Sequence, residues 1–281
     1  MAAAAMRRST RCIPLARIAL ADKDRRKIDR YLDVTKAALL FGGRVLLVEG
    51  IAEALLLPVI AEHHTLKDAP DKLQIFRSAV FVPIDGVDFL PYADLLTTPL
   101  NGARISERVV VMTDGDKGKI KKKGETANEG SEEIEDGDDD AETIPLNSIE
   151  EDQSSEDTKI ALLPGGRRKA ALNRLAMKNK ASECLTAITS TYTLETEMLE
   201  VGNAAILRKA FLTLHKNSAK KWDMAVLLEG DARAEKLDEI FNASRKGDFA
   251  QILADLIESN DPKYPFTVPK YIEDAILAVV A

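Results

Sequence analysis

The sequence has few of the residues that build disulfide scaffolds, histidine-rich metal cages or membrane spans. Its 281 residues include two cysteines and three histidines, and aromatic residues make up only 5%. Cys12 and Cys184 are too few for a disulfide scaffold or a cysteine-rich zinc site. No apolar run reaches the roughly 18 residues that a membrane span needs. A divalent metal would therefore be held mainly by carboxylates, which favours magnesium, manganese or calcium.

The negative charge is concentrated in one segment. Fifteen acidic residues and no basic ones lie between positions 124 and 158, whereas the whole chain has a formal net charge of −7. Taking fifteen negative charges away leaves +8 on the rest, which suits a polyanionic partner but equally suits an ordinary basic surface. We expect a disordered charged insert over 118–169, because acidic and small polar residues dominate the segment. Basic residues flank the acidic part: lysines between Lys117 and Lys123 on one side, and Arg167, Arg168 and Lys169 on the other.

The N-terminus does not read as an export signal. Arg17 interrupts the apolar core that a secretory signal would need. We therefore expect an irregular N-terminus over 1–24 and a cytoplasmic protein.

Short apolar runs alternate with helical patterns along the chain. Four runs predict buried strands near 44–48, 79–84, 108–112 and 184–192, and the patterns between them predict helices over 22–40, 52–63, 89–96 and 172–180. Beyond position 203 five more helices are predicted, over 203–215, 218–228, 232–243, 248–258 and 269–280. Such alternation is typical of an α/β fold with a parallel sheet, whose ligands gather at the carboxyl ends of the strands.

Acidic residues follow three of the four strand candidates: Glu49 and Glu53, Asp114 and Asp116, and Glu195 and Glu197. Each group also fits an ordinary role, such as a helix N-terminus for Glu53 or a helix cap for the TLETE segment. If they meet at one sheet edge, their charges repel unless cations or bound protons neutralise them. Oxygen ligands suit hard divalent ions, and two such ions about 3.5–4 Å apart are a common device for phosphodiester cleavage.

Several segments carry a family resemblance. RVLLVEGIAEALLLP and VVVMTDGDK resemble the Toprim domain. YLDVTKAALLFGGRV, PIDGVDFLPYADLL, TYTLETEML, KGDFAQILADLI and FTVPKYIEDAI resemble, more narrowly, the C-terminal nuclease half of the OLD (overcoming lysogenization defect) family of ATP-dependent endonucleases. The similarity covers about 25–116 and 183–280. It implies a Rossmann-like parallel sheet flanked by helices, a Toprim nuclease domain over 25–200, and a C-terminal helical region over 201–281 that completes the site.

The resemblance also implies an activity and a set of site residues. It implies a DNA endonuclease that uses two divalent ions, Mg2+ or alternatively Mn2+ or Ca2+. The ligand set on the matching positions is Glu49, Asp114 and Asp116 for one ion, and Glu53 and Glu195 for the second, with Thr193 lining the site. Glu49 is also expected to be catalytic, and Lys246 to stabilise charge on the cleaved phosphate. We expect Arg167, Arg168 and Lys169 to contact DNA.

One element of the family is missing from the sequence. Full-length OLD proteins carry an ABC-type ATPase ahead of this region, and the chain has no GxxxxGK[ST] phosphate loop. We therefore expect a separate ATPase subunit, a truncated gene or a free-standing nuclease module. The alternative function is a non-catalytic DNA-binding or repair interaction module. A homodimer without a membrane partner is expected, and phage defence and DNA repair both suit the family.

Overall fold

The computed structural model describes residues 13–31, 36–117, 163–242 and 245–281. Most of the expected charged insert, residues 118–162, lies outside the described residues, as do residues 1–12 of the expected irregular N-terminus. Within 13–24 the chain is packed against the rest of the molecule, since Ile18 is buried beside Ile28 in a core cluster. No helix in the described ranges is long and apolar enough to cross a membrane.

Four parallel strands form one sheet, as the sequence predicts. They are β1 (Arg44–Val48), β2 (Val80–Pro83), β3 (Arg108–Thr113) and β4 (Leu185–Thr189), and they lie in the order β2-β1-β3-β4. Residues 45–48 and 109–113 are almost inaccessible to solvent. The continuous apolar runs are therefore explained by strands that are covered on both faces.

Helices surround the sheet. They are α1 (Asp22–Tyr31), α2 (Ile51–Ile60), α3 (Pro70–Arg77), α4 (Leu90–Thr97), α5 (Pro164–Lys178), α6 (Leu194–Glu200), α7 (Ala204–Leu214), α8 (Ala219–Val226), α9 (Gly230–Asn242), α10 (Lys246–Ser259) and α11 (Lys270–Val280). Helix α2 continues into a π-helical turn over Ala61–Thr65. The five helices predicted beyond position 203 are confirmed as α7 to α11.

Three sequence-based assignments of helices are wrong. The α-helix predicted over 22–40 ends at Tyr31, and a 3-10 helix occupies Lys36–Phe41. The helix predicted to start at 172 already begins at Pro164, so the expected insert does not extend to 169. Proline at the first helical position lacks only an N–H that would have no partner within the helix, so the Pro-Gly-Gly sequence starts this helix. Helix α3 was not predicted at all.

Alternate strand residues face two separate cores. Leu46, Val48, Val110 and Met112 pack against residues of α2 and of the C-terminal helices α7, α10 and α11. Their neighbours in the strands pack with α1, α4 and α5 on the opposite face. The C-terminal helical region is thus part of the covering of the sheet.

Helix α11 runs antiparallel to the strands. At the amino end of the sheet, Arg44 Nη1 donates to the carbonyl oxygens of Val279 (2.5 Å) and Ala281 (3.1 Å), and Arg108 Nη2 donates to that of Ala281 (3.1 Å). These bonds hold the last turn of α11 beside the first residues of β1 and β3. The first turn of α11 therefore lies toward the carboxyl edge of the sheet.

Candidate metal centre

Glu49 leaves the end of β1 and reaches across to the end of β3. Its Oε1 accepts hydrogen bonds from Thr113 Oγ1 and from the backbone N–H of Asp114, the latter at 2.8 Å. The side chain is 19% exposed. Burial raises the pKa of Glu49 even though these hydrogen bonds oppose the shift. The carboxylate is therefore held in place by β3 but is poorly solvated.

Glu53 lies in the first turn of α2, where its carboxylate faces back toward the turn after β1. The backbone N–H of Gly50 donates to Glu53 Oε2 at 3.2 Å. Burial raises the pKa of Glu53 to about 7, with repulsion from Glu195 and Glu49 adding to the effect. The predicted proximity of Glu49 and Glu53 across this turn is seen, and so is their mutual repulsion.

Asp114 is half-buried and lies close to the other carboxylates of the group. Burial raises its pKa well above the ordinary range, and repulsion from Glu49, Glu53, Glu195 and Asp116 raises it further. The backbone N–H of Leu194, at the start of α6, is 3.4 Å from Asp114 Oδ2. These four repulsions show that carboxylates from three strand ends meet at one sheet edge.

The turn after β3 depends on a glycine. A Cβ at Gly115 would lie 2.3 Å from the carbonyl oxygen of Thr191, so a larger residue would force the loops apart. Asp116 then adopts a left-handed backbone conformation with φ 57°. The sequence indicated that Gly115 lets the chain curl, but the Asp116 carboxylate pairs with an arginine rather than meeting Asp114 at one point.

That arginine is Arg168 of α5, which the sequence analysis assigned to DNA contact. Its Nη2 lies 2.7 Å from Asp116 Oδ2, 3.4 Å from Glu49 Oε1 and 2.6 Å from the carbonyl oxygen of Asp114. Its Nε donates to Thr113 Oγ1 at 2.9 Å. The Arg168 side chain is only 18% exposed, whereas Arg167 and Lys169 are exposed. Arg168 is thus the counter-charge of the carboxylates, and DNA contact by the three basic residues stays a prediction.

Close packing places α5 over the site. A Cβ at Gly165 would lie 2.2 Å from the carbonyl oxygen of Asp114 and 2.7 Å from the α-carbon of Gly115. Glycine therefore allows the first turn of α5 to touch the loop after β3. Because of this contact, Arg168, three residues after Gly165, lies next to the carboxylates.

The segment after β4 supplies the third part of the site. Glu195 is buried in the first turn of α6, and Thr193, also buried, lies 3.3 Å from Thr196 through their hydroxyl oxygens. Glu197 accepts the backbone N–H groups of Thr191 and Tyr192, both at 2.8 Å. Glu197 therefore supports the loop, whereas Glu195 faces the other carboxylates.

Lys246 reaches the site from the start of α10. Its Nζ lies 3.8 Å from Glu195 Oε1, and its side chain is 42% exposed. Helix α10 packs along α2, and a Cβ at Gly247 would touch Ile51 at 3.4 Å. This contact puts Lys246 beside the first turn of α2, with its ammonium group open to solvent and to a ligand.

Tyr271, in the first turn of α11, was not singled out from the sequence. Its side chain is 7% exposed, and its hydroxyl has no hydrogen-bond partner among the described residues. Burial raises the pKa of Tyr271 well above its ordinary value, and repulsion from Asp114, Glu53, Glu197 and Glu195 adds to the shift. The phenol therefore belongs to the same cluster as the carboxylates.

The donor set suits a hard divalent cation in its chemistry. All of its side-chain donors are oxygens, and burial, with repulsion among the carboxylates, raises the pKa values of Glu49, Glu53 and Asp114. Within the described ranges, however, no three acidic, histidine or cysteine side chains are arranged to hold one metal ion. Arg168 occupies the space between Glu49 and Asp116 instead.

Residues 40–116 match the family model described as overcoming lysogenization defect protein-like, TOPRIM domain. This part of the chain is therefore similar to an OLD-like TOPRIM domain. The match contains Glu49, Glu53, Asp114 and Asp116, whereas Arg168, Glu195, Lys246 and Tyr271 lie outside it.

The fold of the chain is also similar to that of solved structures. The C-terminal region of the Burkholderia pseudomallei OLD protein is 19% identical with a TM-score of 0.50, and the alignment covers 85% of this chain and 98% of that one. The C-terminal region of the Xanthomonas campestris pv. campestris OLD protein is 18% identical with a TM-score of 0.47, covering 86% and 94%. The comparison with curated proteins finds no match.

Proposed function

We propose that the chain is a divalent-metal-dependent DNA endonuclease that hydrolyses phosphodiester bonds by a two-metal mechanism. The observation that carries this proposal is the crowding of Glu49, Glu53 and Asp114 at one sheet edge with raised pKa values. Carboxylates that repel each other in this way are stabilised by bound cations. The OLD-like TOPRIM match of residues 40–116 supports a nuclease-type module with metal-binding carboxylates.

Each side chain of the site has a proposed role. One Mg2+ or Mn2+ ion would be held by Glu49, Asp114 and Asp116, and a second by Glu53 and Glu195 beside Thr193. Bound divalent ions would supply a nucleophilic water of lowered pKa and neutralise charge on the scissile phosphate.

Lys246 and Arg168 would act as the protein's own cations. The exposed ammonium group of Lys246 is placed to meet the phosphate, where negative charge builds up as the P–O bond breaks. Arg168 would neutralise Glu49 and Asp116 until a metal ion takes over that task. DNA is the proposed partner, together with a separate ABC-type ATPase subunit and a second copy of the chain.

One observation favours the alternative of a non-catalytic DNA-binding or repair module. The Arg168 guanidinium fills the space between Glu49 and Asp116 and bonds to four groups around it. If this arrangement is permanent, the acidic edge is a structural ion-pair network without bound metal. The two functions differ in whether a divalent ion binds at the site.

A plasmid-cleavage assay with Mg2+, Mn2+ or Ca2+ tests the proposal. We expect nicked or linear DNA only with added divalent ion, and a loss of at least about 10³-fold in rate for Asp114→Asn. Asp223→Asn is the matched control, because Asp223 is an exposed carboxylate paired with Arg208 on α7. Undiminished cleavage by Asp114→Asn contradicts the site assignment. No cleavage by any form, together with unchanged DNA binding, supports the alternative.

A further inference from the structure

Exposed apolar side chains lie at the end of α8, beside a groove between α7 and α8. Leu227 is 82% exposed, and Met224, three positions before it, is 65% exposed. The groove has a volume of about 380 Å³, and its lining includes Leu227 together with the apolar side chains of Ala204, Trp222 and Val226. Single exposed apolar residues are ordinary, but several that line one groove indicate a binding surface.

The apolar groove continues into a second cavity that has a cationic lining. This cavity has a volume of about 450 Å³, shares Arg208 with the groove, and adds Lys209 and Lys216. Arg208 already pairs with Asp223 at 2.9 Å, whereas Lys209 and Lys216 are exposed. Between positions 204 and 226 the sequence has five basic residues and one acidic residue. The surface therefore suits a ligand that combines apolar side chains with negative charge.

The chain itself contains a segment of that composition. Positions 138–152 read DDDAETIPLNSIEED, in which Ile144, Leu146 and Ile149 are bordered by acidic residues on both sides. These are three of the four isoleucine and leucine residues between 124 and 158. The apolar side chains of the segment match the groove, and its carboxylates match the neighbouring lysines.

The chain enters this segment close to the groove. Lys117 is the last described residue before the segment, and its Nζ lies 3.5 Å from Asp231 Oδ1. Asp231 follows Leu227 by only four positions. On the other side, Leu163 follows Ile144 by 19 positions, which can span up to about 65 Å. Helix α7 is roughly 16 Å long, so both connections are long enough to bring the segment to the groove.

We propose that the groove between α7 and α8 is a docking site for the acidic segment 138–152 of the same chain. The apolar lining takes the isoleucine and leucine side chains of the segment, while Lys209 and Lys216 attract its carboxylates. A tethered segment has an effective concentration of roughly millimolar, so a site of modest affinity is sufficient. DNA suits the surface less well, because Leu227 and Met224 offer nothing to a phosphate backbone. The inference involves no metal ion and is independent of the proposed nuclease function.

The test measures binding of the segment as a separate peptide. A fluorescently labelled peptide of residues 138–152 is added, without divalent ions, to the full chain in which these positions are replaced by an equal number of Gly and Ser residues. Fluorescence anisotropy gives the Kd. We expect saturable binding to this replaced variant. Binding to the intact chain should be at least about 10-fold weaker, because its own segment occupies the groove.

Substitutions in the replaced variant locate the site. Leu227→Ser should weaken peptide binding about 10-fold, because the burial of one leucine is lost. Lys209→Glu should weaken it about 5-fold at about 50 mM salt and less at higher salt. The matched controls are Met177→Ser and Lys178→Glu, since both residues are exposed near the end of α5. Both controls should bind the peptide like the unsubstituted replaced variant.

The apolar side chains of the peptide are tested in the same way. A peptide with Ile144→Ser, Leu146→Ser and Ile149→Ser keeps every charge and should bind at least about 10-fold more weakly. Equal binding of the two peptides would mean unspecific charge attraction, which overturns the proposal.

The remaining outcomes also overturn the proposal. The absence of saturable binding to the replaced variant does so, as does equal binding by Leu227→Ser. A dimer of the intact chain that Leu227→Ser dissociates in sedimentation would assign the groove to a second copy. Binding of duplex DNA that Lys209→Glu weakens, without any binding of the peptide, would assign the surface to DNA. None of these outcomes depends on whether the chain cleaves DNA.

Discussion

Buried polar groups are paired differently at the two edges of the sheet. At the amino edge, three arginines satisfy backbone carbonyls: Arg44 and Arg108 bond to the end of α11, and Arg104 bonds to the carbonyl oxygens of Thr97, Asn179 and Lys180 at 2.8–3.0 Å. At the carboxyl edge, Arg168 is the main cation within a group of at least four carboxylates. At one edge the arginines satisfy backbone carbonyl groups, and the other edge has excess acid.

The difference is clear from the hydrogen bonds of one carboxylate at each edge, Asp94 and Asp114. Asp94, buried in α4, accepts hydrogen bonds at 2.8 Å from both Thr98 Oγ1 and Asn179 Nδ2. Asp114 is half-buried, and its described side-chain contact is one long bond from the N–H of Leu194, at 3.4 Å. Hydrogen bonds compensate for burial at the amino edge. For Asp114 at the carboxyl edge that compensation is weak, and we infer that a bound ligand supplies it.

The largest expected difference between the two edges is in the DNA-cleavage rate, which should depend on Lys246 at the carboxyl edge. Its ammonium group lies beyond hydrogen-bond reach of Glu195, so it is available to a phosphate. We expect Lys246→Ala to slow DNA cleavage by about 10²–10³-fold with little change in Mn2+ affinity. Arg108→Ala at the amino edge should lower Tm but keep the rate per folded molecule. Single-turnover cleavage rates measure this, and equal rates for Lys246→Ala and wild type would make Lys246 a surface residue.

Most of the sheet could be predicted from the sequence because its strands are covered on both faces. Continuous runs such as RVLLV and RVVVM differ sharply from the helical patterns around them. Glu49 and Asp114 could be placed because the carboxyl ends of parallel strands share one edge. The first helix was overextended, since the apolar spacing continues through a segment that changes to a 3-10 helix at Lys36.

The rest of the site depends on contacts between distant parts of the chain. Arg168 follows Asp116 by 52 positions, and its charge reads as the end of a charged insert until α5 is seen to start at Pro164. Gly165 was the available signal, because a glycine pair after a proline permits close helix packing. Tyr271 lies in an apolar helical pattern, where a tyrosine looks like an ordinary core residue.

The second-largest expected difference between the two edges is in how their carboxylates make stability depend on pH. The folded-state pKa of Glu53 is about 7, above its ordinary 4.5, so the folded protein holds this proton more tightly than the unfolded chain. Its stabilising contribution is therefore complete below about pH 4.5 and is lost as the pH rises through 7. We expect the contribution of Glu53 to the free energy of unfolding of the metal-free wild type to fall by about 3 kcal/mol by pH 8.

Urea unfolding at pH 5 and pH 8 measures this effect. Glu53→Gln should reduce the loss, because glutamine does not titrate, whereas Asp94→Asn at the amino edge should leave it unchanged. Saturating Mn2+ should also reduce the loss, since a bound cation stabilises the charged carboxylates. A pH dependence that is identical in Glu53→Gln and wild type would assign the effect to other groups.

The smallest expected effect compares two arginines that are both partly buried and both multiply bonded. Arg168→Met leaves Glu49 and Asp116 without their cation. We expect the free energy of unfolding at pH 8 to fall by about 2 kcal/mol. This is less than the loss for a fully buried pair, because these side chains are 14–19% exposed. Arg104→Met removes three bonds to carbonyl oxygens and should cost a similar amount. Millimolar Mn2+ should restore the Tm of Arg168→Met, because a metal ion can replace the lost charge, but it should not restore that of Arg104→Met beyond the shift seen in wild type. Thermal unfolding of the two variants with and without Mn2+ measures this. Equal responses to Mn2+ would mean that Arg168 does not occupy a cation site.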